Sequence, residues 1–415
     1  MIDLKFLREN PEKVTEGAKS KNIEIDISKI LEVDTKFREL SIEVQNLRAE
    51  RNVAAKNRDI EKGKDVKTQL DGLETEFSSL ENQLNELTSR IPALPKEDVK
   101  KGQNDTENEV IKTVGEIPKF AFTPKDHLDL GESLDIIDVE RAAKVSGTRF
   151  NYLKNEGALL EFALIHFALD KLLGKGFKPV IPPTIISKDV MRAMGYMEGE
   201  GEEDMFQFSN DDKVLVGTAE QSIVPMHKDE TFEFKNLPLR YVGFSSSYRR
   251  EAGSYGKDTR GILRVHEFHK VEMVSYVSEG KDDEEHEFLL KIEEELFSEL
   301  KIPYQVVKMC TGDLGFPVAR KYDIEAWIPT QGKYREVTST STTTDFQSRR
   351  LNIRYNEGNP PAGGKKFTNI LNGTAFAIGR TIVAILENYQ QEDGSVLIPE
   401  VLKKYTNFDK ILPKK

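Results

Sequence analysis

The strongest constraint on how this chain folds is a heptad pattern in its first hundred residues. Apolar residues recur every seven positions in two rows offset by three or four, once before the polar stretch Asn57–Asp65 and once after it. The rows are Ile30, Phe37 and Val44; Val33, Leu40, Leu47 and Ala54; Leu70, Phe77, Leu84 and Ile91; and Val66, Leu73, Leu80, Leu87 and Leu94. Two such rows form the seam of a coiled coil. Because the connection is short and contains Gly63, the sequence predicts an antiparallel helical hairpin over about residues 27–94. Pro92 and Pro95 end its second helix.

Charge is unevenly distributed along this predicted hairpin. Residues 48–67 hold seven basic and four acidic side chains, whereas residues 68–89 hold five acidic side chains and neither Lys nor Arg. An arm that binds a polyanion and an ordinary solvated coiled coil both fit this distribution, and charge alone leaves the two interpretations open.

Composition narrows the class of protein. Lys and Arg number 60 and Asp and Glu number 71 in 415 residues, and the net charge of −11 excludes a generally basic nucleic-acid coat. The single cysteine, Cys310, excludes an intramolecular disulfide and a cysteine-rich zinc site, and it fits a reducing compartment. The opening MIDLKFLREN lacks the apolar core of a signal peptide, and no apolar stretch is long enough to span a membrane. We therefore expect a cytoplasmic protein.

Polarity and periodicity divide the chain into three parts and predict an α+β fold. Residues 1–100 form the helical domain with the hairpin, residues 101–119 a polar linker, and residues 120–415 a mixed domain. In the mixed domain we predict helices at Leu159–Leu173, Glu284–Leu300 and Phe376–Tyr389, and strands at Leu239–Phe244, Ile262–Tyr276, Tyr304–Val307, Asp323–Ile328 and Tyr334–Thr338.

Two of these strands carry the residues that best fit a ligand site. Arg249 and Glu251 are two positions apart and share one face of the first strand, while Arg264, His266, Phe268, Lys270 and Glu272 share one face of the second. Arginines offer a planar fork to phosphate or carboxylate, and Phe offers a stacking surface for a flat base. A solvated sheet face with cross-strand ion pairs fits the same spacing, so both interpretations stay open at this point.

Common nucleotide and metal motifs are absent from the sequence. There is no GxxxxGK[ST], and Gly199-Glu200-Gly201 lacks the third glycine of a dinucleotide fingerprint. His266 and His269 are three positions apart in a predicted strand, which sends them to opposite faces and argues against a shared metal ion.

Four motifs then occur in a recognisable order. The segment YRREAGSYGKDTRGILRVHEF, from Tyr248, resembles motif 2 of the class II aminoacyl-tRNA synthetases in the form carried by seryl-tRNA synthetases. Gly174–Pro183 resembles motif 1, which builds a dimer interface, and the segment from Leu371 to Glu400 resembles motif 3. Thr218-Ala219-Glu220 resembles the serine-binding triplet of that family. Together with FLRENPEKV near the start and the hairpin, these motifs cover essentially the whole chain and are highly specific.

The resemblance implies a fold, an activity and partners. It implies a catalytic domain built on a mostly antiparallel sheet flanked by helices, and a homodimeric enzyme that uses ATP and Mg²⁺ to load L-serine onto tRNA(Ser), and in this family also tRNA(Sec). Two alternatives are a paralogue that activates a small amino acid for another acceptor and a non-catalytic coiled-coil interaction protein. No anticodon-binding domain fits in the roughly 15 residues after Glu400, which favours a tRNA recognised by its shape.

The resemblance also assigns roles to individual residues. Arg249 would bridge the ATP α-phosphate and the serine carboxylate, Glu251 and the Val265 backbone would bind the adenine, and Phe268 and Arg380 would cover its two faces. The implied catalytic residues are Arg249, Glu336 and Arg380; the implied ATP-binding residues are Arg249, Arg250, Glu251, Arg264, Val265, Phe268, Glu336, Val337, Thr338, Ser339 and Arg380. The implied serine-binding residues are Thr218, Ala219, Glu220, Arg249, Glu272, Asn372 and Thr374, and the implied tRNA-binding residues are Arg48, Arg51, Lys56, Arg58, Lys62 and Lys64.

Glu336 and Ser339 would hold Mg²⁺, but their spacing poses a geometric problem. The two residues have opposite parity, so a regular strand sends their side chains to opposite faces. The metal assignment therefore predicts a strand end or a β-bulge near Thr338.

Overall fold

The computed structural model describes residues 2–198, 201–252, 260–357 and 364–414, and the chain divides into two compact units, Met1–Leu94 and Pro95–Lys415. The helices are α1 (Leu4–Glu9), α2 (Pro11–Ser20), α3 (Ile27–Asn57), α4 (Ile60–Ser89), α5 (His127–Ser133), α6 (Val139–Ser146), α7 (Asn155–Leu173), α8 (Lys188–Met194), α9 (Glu220–Ile223), α10 (Asp282–Glu299), α11 (Phe346–Leu351) and α12 (Ile378–Tyr389). The strands are β1 (Glu109–Val114), β2 (Ile137–Asp138), β3 (Tyr152–Leu153), β4 (Lys178–Val180), β5 (Ile185–Ser187), β6 (Lys213–Leu215), β7 (Thr231–Glu233), β8 (Leu239–Tyr248), β9 (Glu267–Val277), β10 (Tyr304–Lys308), β11 (Arg320–Ile328), β12 (Lys333–Thr344), β13 (Arg354–Asn356), β14 (Lys365–Phe367), β15 (Asn369–Ala377), β16 (Val396–Leu397) and β17 (Lys410–Ile411).

The first unit contains the predicted helical hairpin, formed by α3 and α4. Near its base the buried core holds Leu7, Val14, Ile27, Ile30, Val33, Leu84 and Ile91, and towards its tip the buried core holds Leu40, Val44, Val66 and Leu70. Between the two clusters the rings of Phe37 and Phe77 stack with centroids 5.0 Å apart. The heptad rows therefore form the seam that the sequence predicted.

The reversal between the two helices is shorter than Asn57–Asp65, so that boundary of the prediction was wrong. Only Arg58 and Asp59 lie outside the helices, and Gly63 lies within α4. Arg58 has a φ of 57°, which ends α3 in the left-handed conformation. The Asp59 side chain accepts a hydrogen bond from the Lys62 backbone at 3.0 Å, so the new helix is capped at once.

The second unit is built on an eight-stranded sheet. The strand order is β1-β10-β11-β12-β15-β9-β8-β4, and every neighbouring pair is antiparallel except β8 with β4, which is parallel. Helices α7, α10 and α12 pack on the sheet, and their apolar side chains join those of the strands in one large core. This is the mostly antiparallel, helix-flanked sheet that the resemblance implied.

Part of the predicted linker at residues 101–119 belongs to this sheet. Strand β1 adds to the edge strand β10, with Val114 opposite Tyr304. Its six residues are exposed or half-buried, so the strand buries little apolar surface and is held by its backbone pairing. That explains why the segment lacks the alternation of buried and exposed residues that would have revealed a strand.

Several other predicted boundaries differ from the structure: β8 continues to Tyr248, β12 continues to Thr344, β11 begins at Arg320 and α7 begins at Asn155. The strand predicted at Ile262–Tyr276 begins at Glu267, and the helix predicted at Phe376–Tyr389 begins at Ile378 because β15 continues to Ala377. Among the described residues, no helix is both long and apolar enough to cross a membrane.

Candidate active site

A pocket opens on the sheet where β8, β9, β12 and β15 meet the first turn of α12. Its lining combines arginines, carboxylates, a phenyl ring and backbone, contributed by Arg249, Glu251, Ile262, Leu263, Arg264, Val265, Phe268, Lys270, Glu336, Val337, Thr338, Ser339, Thr374, Ala377, Gly379 and Arg380. Residues from four separate stretches of the sequence (249–251, 262–270, 336–339 and 374–380) thus converge on one cavity.

Strand β9 supplies the floor of this pocket through alternate residues. Phe268, Lys270 and Glu272 point to one face because side chains alternate along a strand. Opposite them on β8 lie Ser247, Ser245 and Gly243 respectively, all of them small. Small neighbours leave the space above Phe268 and Lys270 open for a ligand.

Arg249 and Glu251 do not lie on a strand, which corrects the prediction that they share a strand face. Strand β8 ends at Tyr248, and Glu251 has a φ of 55°. Both side chains nevertheless reach the pocket. The Arg249 Nε donates to the Gly217 carbonyl at 3.3 Å while its guanidinium lies 5.5 Å from the centre of the Phe268 ring.

Arg264 and Arg250 differ in where they lie. Because Arg264 precedes β9, it lines the pocket from a loop and not from a strand face. It forms a close ion pair with Glu251. Arg250 is exposed and is not among the pocket residues. The rest of the motif 2 loop, residues 253–259, lies outside the described residues.

Strand β12 carries a bulge at the position that the metal assignment required. Opposite β11, Thr338 pairs with Ile324 and Glu336 pairs with Glu325, so Val337 is the extra residue. The extra residue reverses the parity on one side of it. As a result Glu336 and Ser339 line the same pocket, and the Thr338 hydroxyl instead donates to the buried Glu293 at 2.9 Å.

Arg380 and Glu336 form an ion pair at the α12 end of the pocket. The Arg380 Nη1 lies 3.1 Å from a Glu336 carboxylate oxygen and 3.1 Å from the Glu336 backbone carbonyl. Burial alone would raise the pKa of Glu336, but the positive charges of Arg380 and Lys321 lower it below its usual range. Glu336 therefore carries a negative charge, as a ligand of a hard cation must.

The residues that the resemblance implies for serine binding gather in a second, deeper part of the site. Glu220 is 1% exposed and accepts hydrogen bonds from the Tyr196 hydroxyl at 3.0 Å, from Gln347 Nε2 at 3.0 Å and from Asn372 Nδ2. Burial raises the pKa of Glu220 to about 7, against the opposing effect of the Gln347 hydrogen bond. Tyr196 and Gln347 were missed by the sequence analysis because they lie 24 and 127 residues from Glu220, with no local pattern that links them.

Glu272 lies between this deeper part and the pocket. It is 1% exposed, and its Oε2 accepts from the Thr374 hydroxyl at 2.8 Å and lies 3.0 Å from the Lys270 Nζ. Thr374 stands opposite Glu272 on β15, while Ala219 is buried at the start of α9.

Two polar atoms in this deeper part are buried without a protein partner. The Thr218 hydroxyl and the side-chain amide oxygen (Oδ1) of Asn372 have no hydrogen bond within the described residues. A buried polar group without a partner costs free energy. A small polar ligand that bound here would satisfy both atoms.

The two histidines considered as metal ligands contact different residues. His266 Nδ1 is 3.1 Å from the Arg249 carbonyl, and His269 pairs with Glu161 on α7. Within the described ranges, no group of three or more His, Cys, Asp or Glu residues is arranged to hold a metal ion.

The predicted tRNA-binding residues of the hairpin, Arg48, Arg51, Lys56, Arg58, Lys62 and Lys64, are all exposed. Two of them form ion pairs across the hairpin, Arg48 with Glu74 at 3.3 Å and Lys62 with Glu50 at 3.8 Å.

Family models match both units of the chain. The model of the seryl-tRNA synthetase N-terminal domain matches residues 1–95, and the model of the tRNA synthetase class II core domain (G, H, P, S and T) matches residues 205–389. Because the matches include both the helical hairpin and the class II core domain, neither a paralogue that lacks the arm nor a non-catalytic scaffold is favoured.

Similar proteins cover the chain from end to end. A serine–tRNA ligase from Dictyoglomus turgidum is 42% identical, over 100% of both chains. The crystal structure of seryl-tRNA synthetase from Pyrococcus horikoshii complexed with ATP has a TM-score of 0.91 at 41% identity, over 100% of both chains. Cytoplasmic serine–tRNA ligase from Naegleria fowleri in complex with AMP has a TM-score of 0.88 at 29% identity, over 100% of this chain and 99% of that one. The chain described here belongs to the serine–tRNA ligase family of class II aminoacyl-tRNA synthetases.

Proposed function

We propose that this chain joins L-serine to tRNA in two steps, with seryl-adenylate as the intermediate held on the face of β9. The observation that carries the proposal is the order of groups on that face. An aromatic ring, Phe268, is followed by a cation and then by a buried carboxylate, Glu272. Adenine stacks between Phe268 and Arg380, and serine lies against Glu272.

The first step is a displacement at phosphorus. A serine carboxylate oxygen forms a bond to the α-phosphorus of ATP, the bond from that phosphorus to the bridging oxygen breaks, and pyrophosphate leaves with the electron pair. The nucleophile is already ionised, so no general base is needed. The protein contributes positioning and charge, with Arg249 at the α-phosphate and serine carboxylate, and Glu251 and the Val265 backbone at the adenine. Val337 and Thr338 supply backbone beside the nucleotide, and Arg264 acts on its phosphates. Arg250, which does not line the pocket, is assigned to ATP by the family resemblance alone.

Selection of serine follows from the buried polar atoms. Thr218, Glu220, Asn372, Thr374 and Glu272 surround the amino acid, with Ala219 as a small neighbour. Alanine would leave their hydrogen-bonding groups unpaired, and a site of this kind rejects such an analogue by roughly 10⁴-fold. Threonine carries one more methyl group than serine and is excluded by fit.

Mg²⁺ fits two oxygen groups of the pocket. The Glu336 carboxylate and the Ser339 hydroxyl are hard donors of the kind this ion prefers, and both lie on the pocket side of the β12 bulge. When bound, the ion would neutralise phosphate charge.

The second step needs tRNA, and the hairpin α3–α4 is suited to hold it. Its six exposed cations (Arg48, Arg51, Lys56, Arg58, Lys62 and Lys64) surround the tip, where they can contact phosphates without reading bases. The terminal ribose hydroxyl of the tRNA attacks the carbonyl carbon of the adenylate, the bond from that carbon to the phosphate oxygen breaks, AMP leaves with the electron pair, and the hydroxyl proton is released to solvent. The substrates are tRNA(Ser) and, by family, tRNA(Sec).

Exposed apolar side chains on the motif 1 segment and on the preceding helix α7 support a homodimer. On and beside α7 and β4, Leu159, Phe162, Leu173 and Ile181 are 46%, 58%, 47% and 88% exposed. An exposed apolar surface of this kind marks an interface, and β4 is an edge strand that lies parallel to β8. A second copy of the chain in the cytoplasm is the proposed occupant of this surface.

Substitution of Glu272 tests the proposed site. We expect Glu272→Ala to abolish serine-dependent ATP–pyrophosphate exchange, because the buried carboxylate that holds serine is removed, while ATP binding by calorimetry stays within about threefold of wild type. Glu267→Ala, on the same strand with an exposed side chain, is the control and should keep full exchange. Normal exchange in Glu272→Ala would refute the assignment.

A further inference from the structure

One buried cation that lines the pocket has no role in the two proposed steps of the reaction. Lys270 lies on β9 between Phe268 and Glu272 and lines the pocket. Its side chain is 8% exposed, and its Nζ lies 3.0 Å from the Glu272 Oε2. A lysine this deeply buried is rare unless it has an anionic partner.

The strand spacing indicates which part of a ligand Lys270 meets. Side chains on one face of a strand are about 6.7 Å apart, so Phe268, Lys270 and Glu272 form three successive steps. With adenine over Phe268 and serine over Glu272, the group that lies over the middle step is the junction between the serine carboxylate and the α-phosphate. This inference rests on the proposed function, which places the two ends of the ligand.

We propose that Lys270 is a catalytic residue whose ammonium group contacts the carboxylate–phosphate junction during formation of seryl-adenylate. In that step the carboxylate oxygen bonds to the α-phosphorus and pyrophosphate leaves with the electron pair, so charge shifts among oxygens while no proton is transferred. A fixed cation in a site shielded from water stabilises such charge strongly.

The contacts around Lys270 leave N–H donors of its ammonium group available to a ligand. An ammonium has three N–H donors, and in the part of the chain that the structure describes Glu272 is its one acidic partner. Its strand neighbours on the two sides are Ser245 on β8 and Ala377 on β15, which are too small to cover it. The Ser245 hydroxyl is buried and has no hydrogen-bond partner among the described residues, so it is a further polar group available beside the junction.

A purely structural role for Lys270 makes a different prediction. If the lysine only neutralises Glu272, its loss would weaken serine binding and raise the KM for serine, with kcat little changed. If the ammonium touches the junction, its loss lowers kcat and the affinity for the joined ligand, because the junction exists only when serine and nucleotide are linked.

Kinetics of Lys270→Met in the full-length chain separate the two roles. We expect kcat for serine-dependent ATP–pyrophosphate exchange to fall at least about 100-fold, with the KM for serine and for ATP within about threefold of wild type. Affinity for a non-hydrolysable seryl-sulfamoyl-adenosine should fall similarly, while affinity for adenosine alone should not change. Lys270→Arg, which keeps the charge in a bulkier group, should recover part of the lost kcat. Lys270→Gln repeats the assay if the Met variant does not fold.

A matched control is Lys112→Met on β1, at the far edge of the sheet, where the lysine pairs with Glu294 at 2.5 Å. That variant should keep wild-type exchange. A Lys270→Met enzyme whose kcat stays within threefold of wild type, or whose defect is confined to the KM for serine, overturns the catalytic role. Absence of serine-dependent exchange in the wild-type chain would instead overturn the proposed function itself, so the two failures are distinguishable.

Discussion

Ion pairs near the tip of the hairpin are exposed, whereas the pair on β9 at the pocket is buried. On the hairpin, Arg48 and Glu74 form an ion pair with 46% and 45% of their side chains exposed, and such pairs add little stability. In the pocket, Lys270 and Glu272 pair with 8% and 1% exposed, where desolvation makes each charge costly and each contact strong. The same residue types thus suit long-range attraction of a polyanion in one region and short-range positioning of a small ligand in the other.

Removing the outer hairpin should have the largest effect and should separate the two regions. The rings of Phe37 and Phe77 stack across the hairpin, so a short Gly-Ser linker can join these residues after deletion of residues 38–76, with the basal core around Ile30 and Leu84 retained. We expect tRNA charging to fall by at least about 10³-fold because the phosphate contacts are lost, while serine-dependent pyrophosphate exchange stays near wild type. Normal charging by this variant would show that the hairpin has no role in tRNA binding.

The seam of the hairpin can be weakened without a change in its charge. Leu70 is 1% exposed in the cluster nearest the tip, so Leu70→Ala should cost about 2–5 kcal/mol of hairpin stability. Hydrogen exchange measured by mass spectrometry should show faster exchange in α3 and α4 with no change in β9. Thr68→Ala, an exposed position on the same helix, is the control. Equal protection of the hairpin from hydrogen exchange in wild type and Leu70→Ala would contradict the claim that Leu70 stabilises the hairpin through its seam.

Neutralising the tip should have a smaller, salt-dependent effect. A variant with Arg51, Lys56, Arg58 and Lys64 changed to Ala should raise the KM for tRNA roughly tenfold or more at low salt. The dependence of log KM on log salt concentration should become shallower, since fewer counterions are released. Lys29→Ala with Lys36→Ala, at the base of the hairpin, is the matched control. An unchanged salt slope in the tip variant would remove these residues from the tRNA interface.

The smallest effect concerns a partly buried pair at the outer side of the catalytic unit. The hydrogen bond that His269 Nδ1 donates to the Glu161 carboxylate raises the pKa of His269, against the opposing effect of burial. A raised folded-state pKa stabilises the fold fully below the unfolded value of about 6.5 and loses that contribution as pH rises through the folded value. The melting temperature of wild type should therefore fall more between pH 6 and pH 8 than the melting temperature of His269→Gln. Glu161→Gln should flatten the profile equally, and additive effects in the double variant would argue against the pair.

The two regions also differ in how far the sequence predicted them. Every row of the hairpin seam follows from heptad spacing, because burial there depends only on position along one helix. The reversal was predicted too long because Arg58 ends α3 in the left-handed conformation and Gly63 lies within α4. In the catalytic unit, Phe268, Lys270 and Glu272 were placed on one face by strand alternation. The metal assignment implied by the resemblance, with the parity of Glu336 and Ser339, predicted a strand end or a bulge near Thr338, and the structure has a bulge at Val337.

Other features of the catalytic unit depend on contacts between distant segments. Tyr196 and Gln347 reach Glu220 through packing that no local pattern records. Strand β1 is held by backbone pairing at an exposed edge, so its side chains gave no signal. Motif resemblance identified the residues of the pocket, whereas spacing alone left a solvated sheet face as an equal alternative.

A crystal soaked with a non-hydrolysable seryl-adenylate analogue tests the central claim most directly. The account predicts electron density for adenine between Phe268 and Arg380, the seryl group against Glu272, and the linking group over Lys270. An analogue that binds in the opposite direction along β9, or a pocket that stays empty at saturating concentration, would contradict the proposal that this face holds the intermediate.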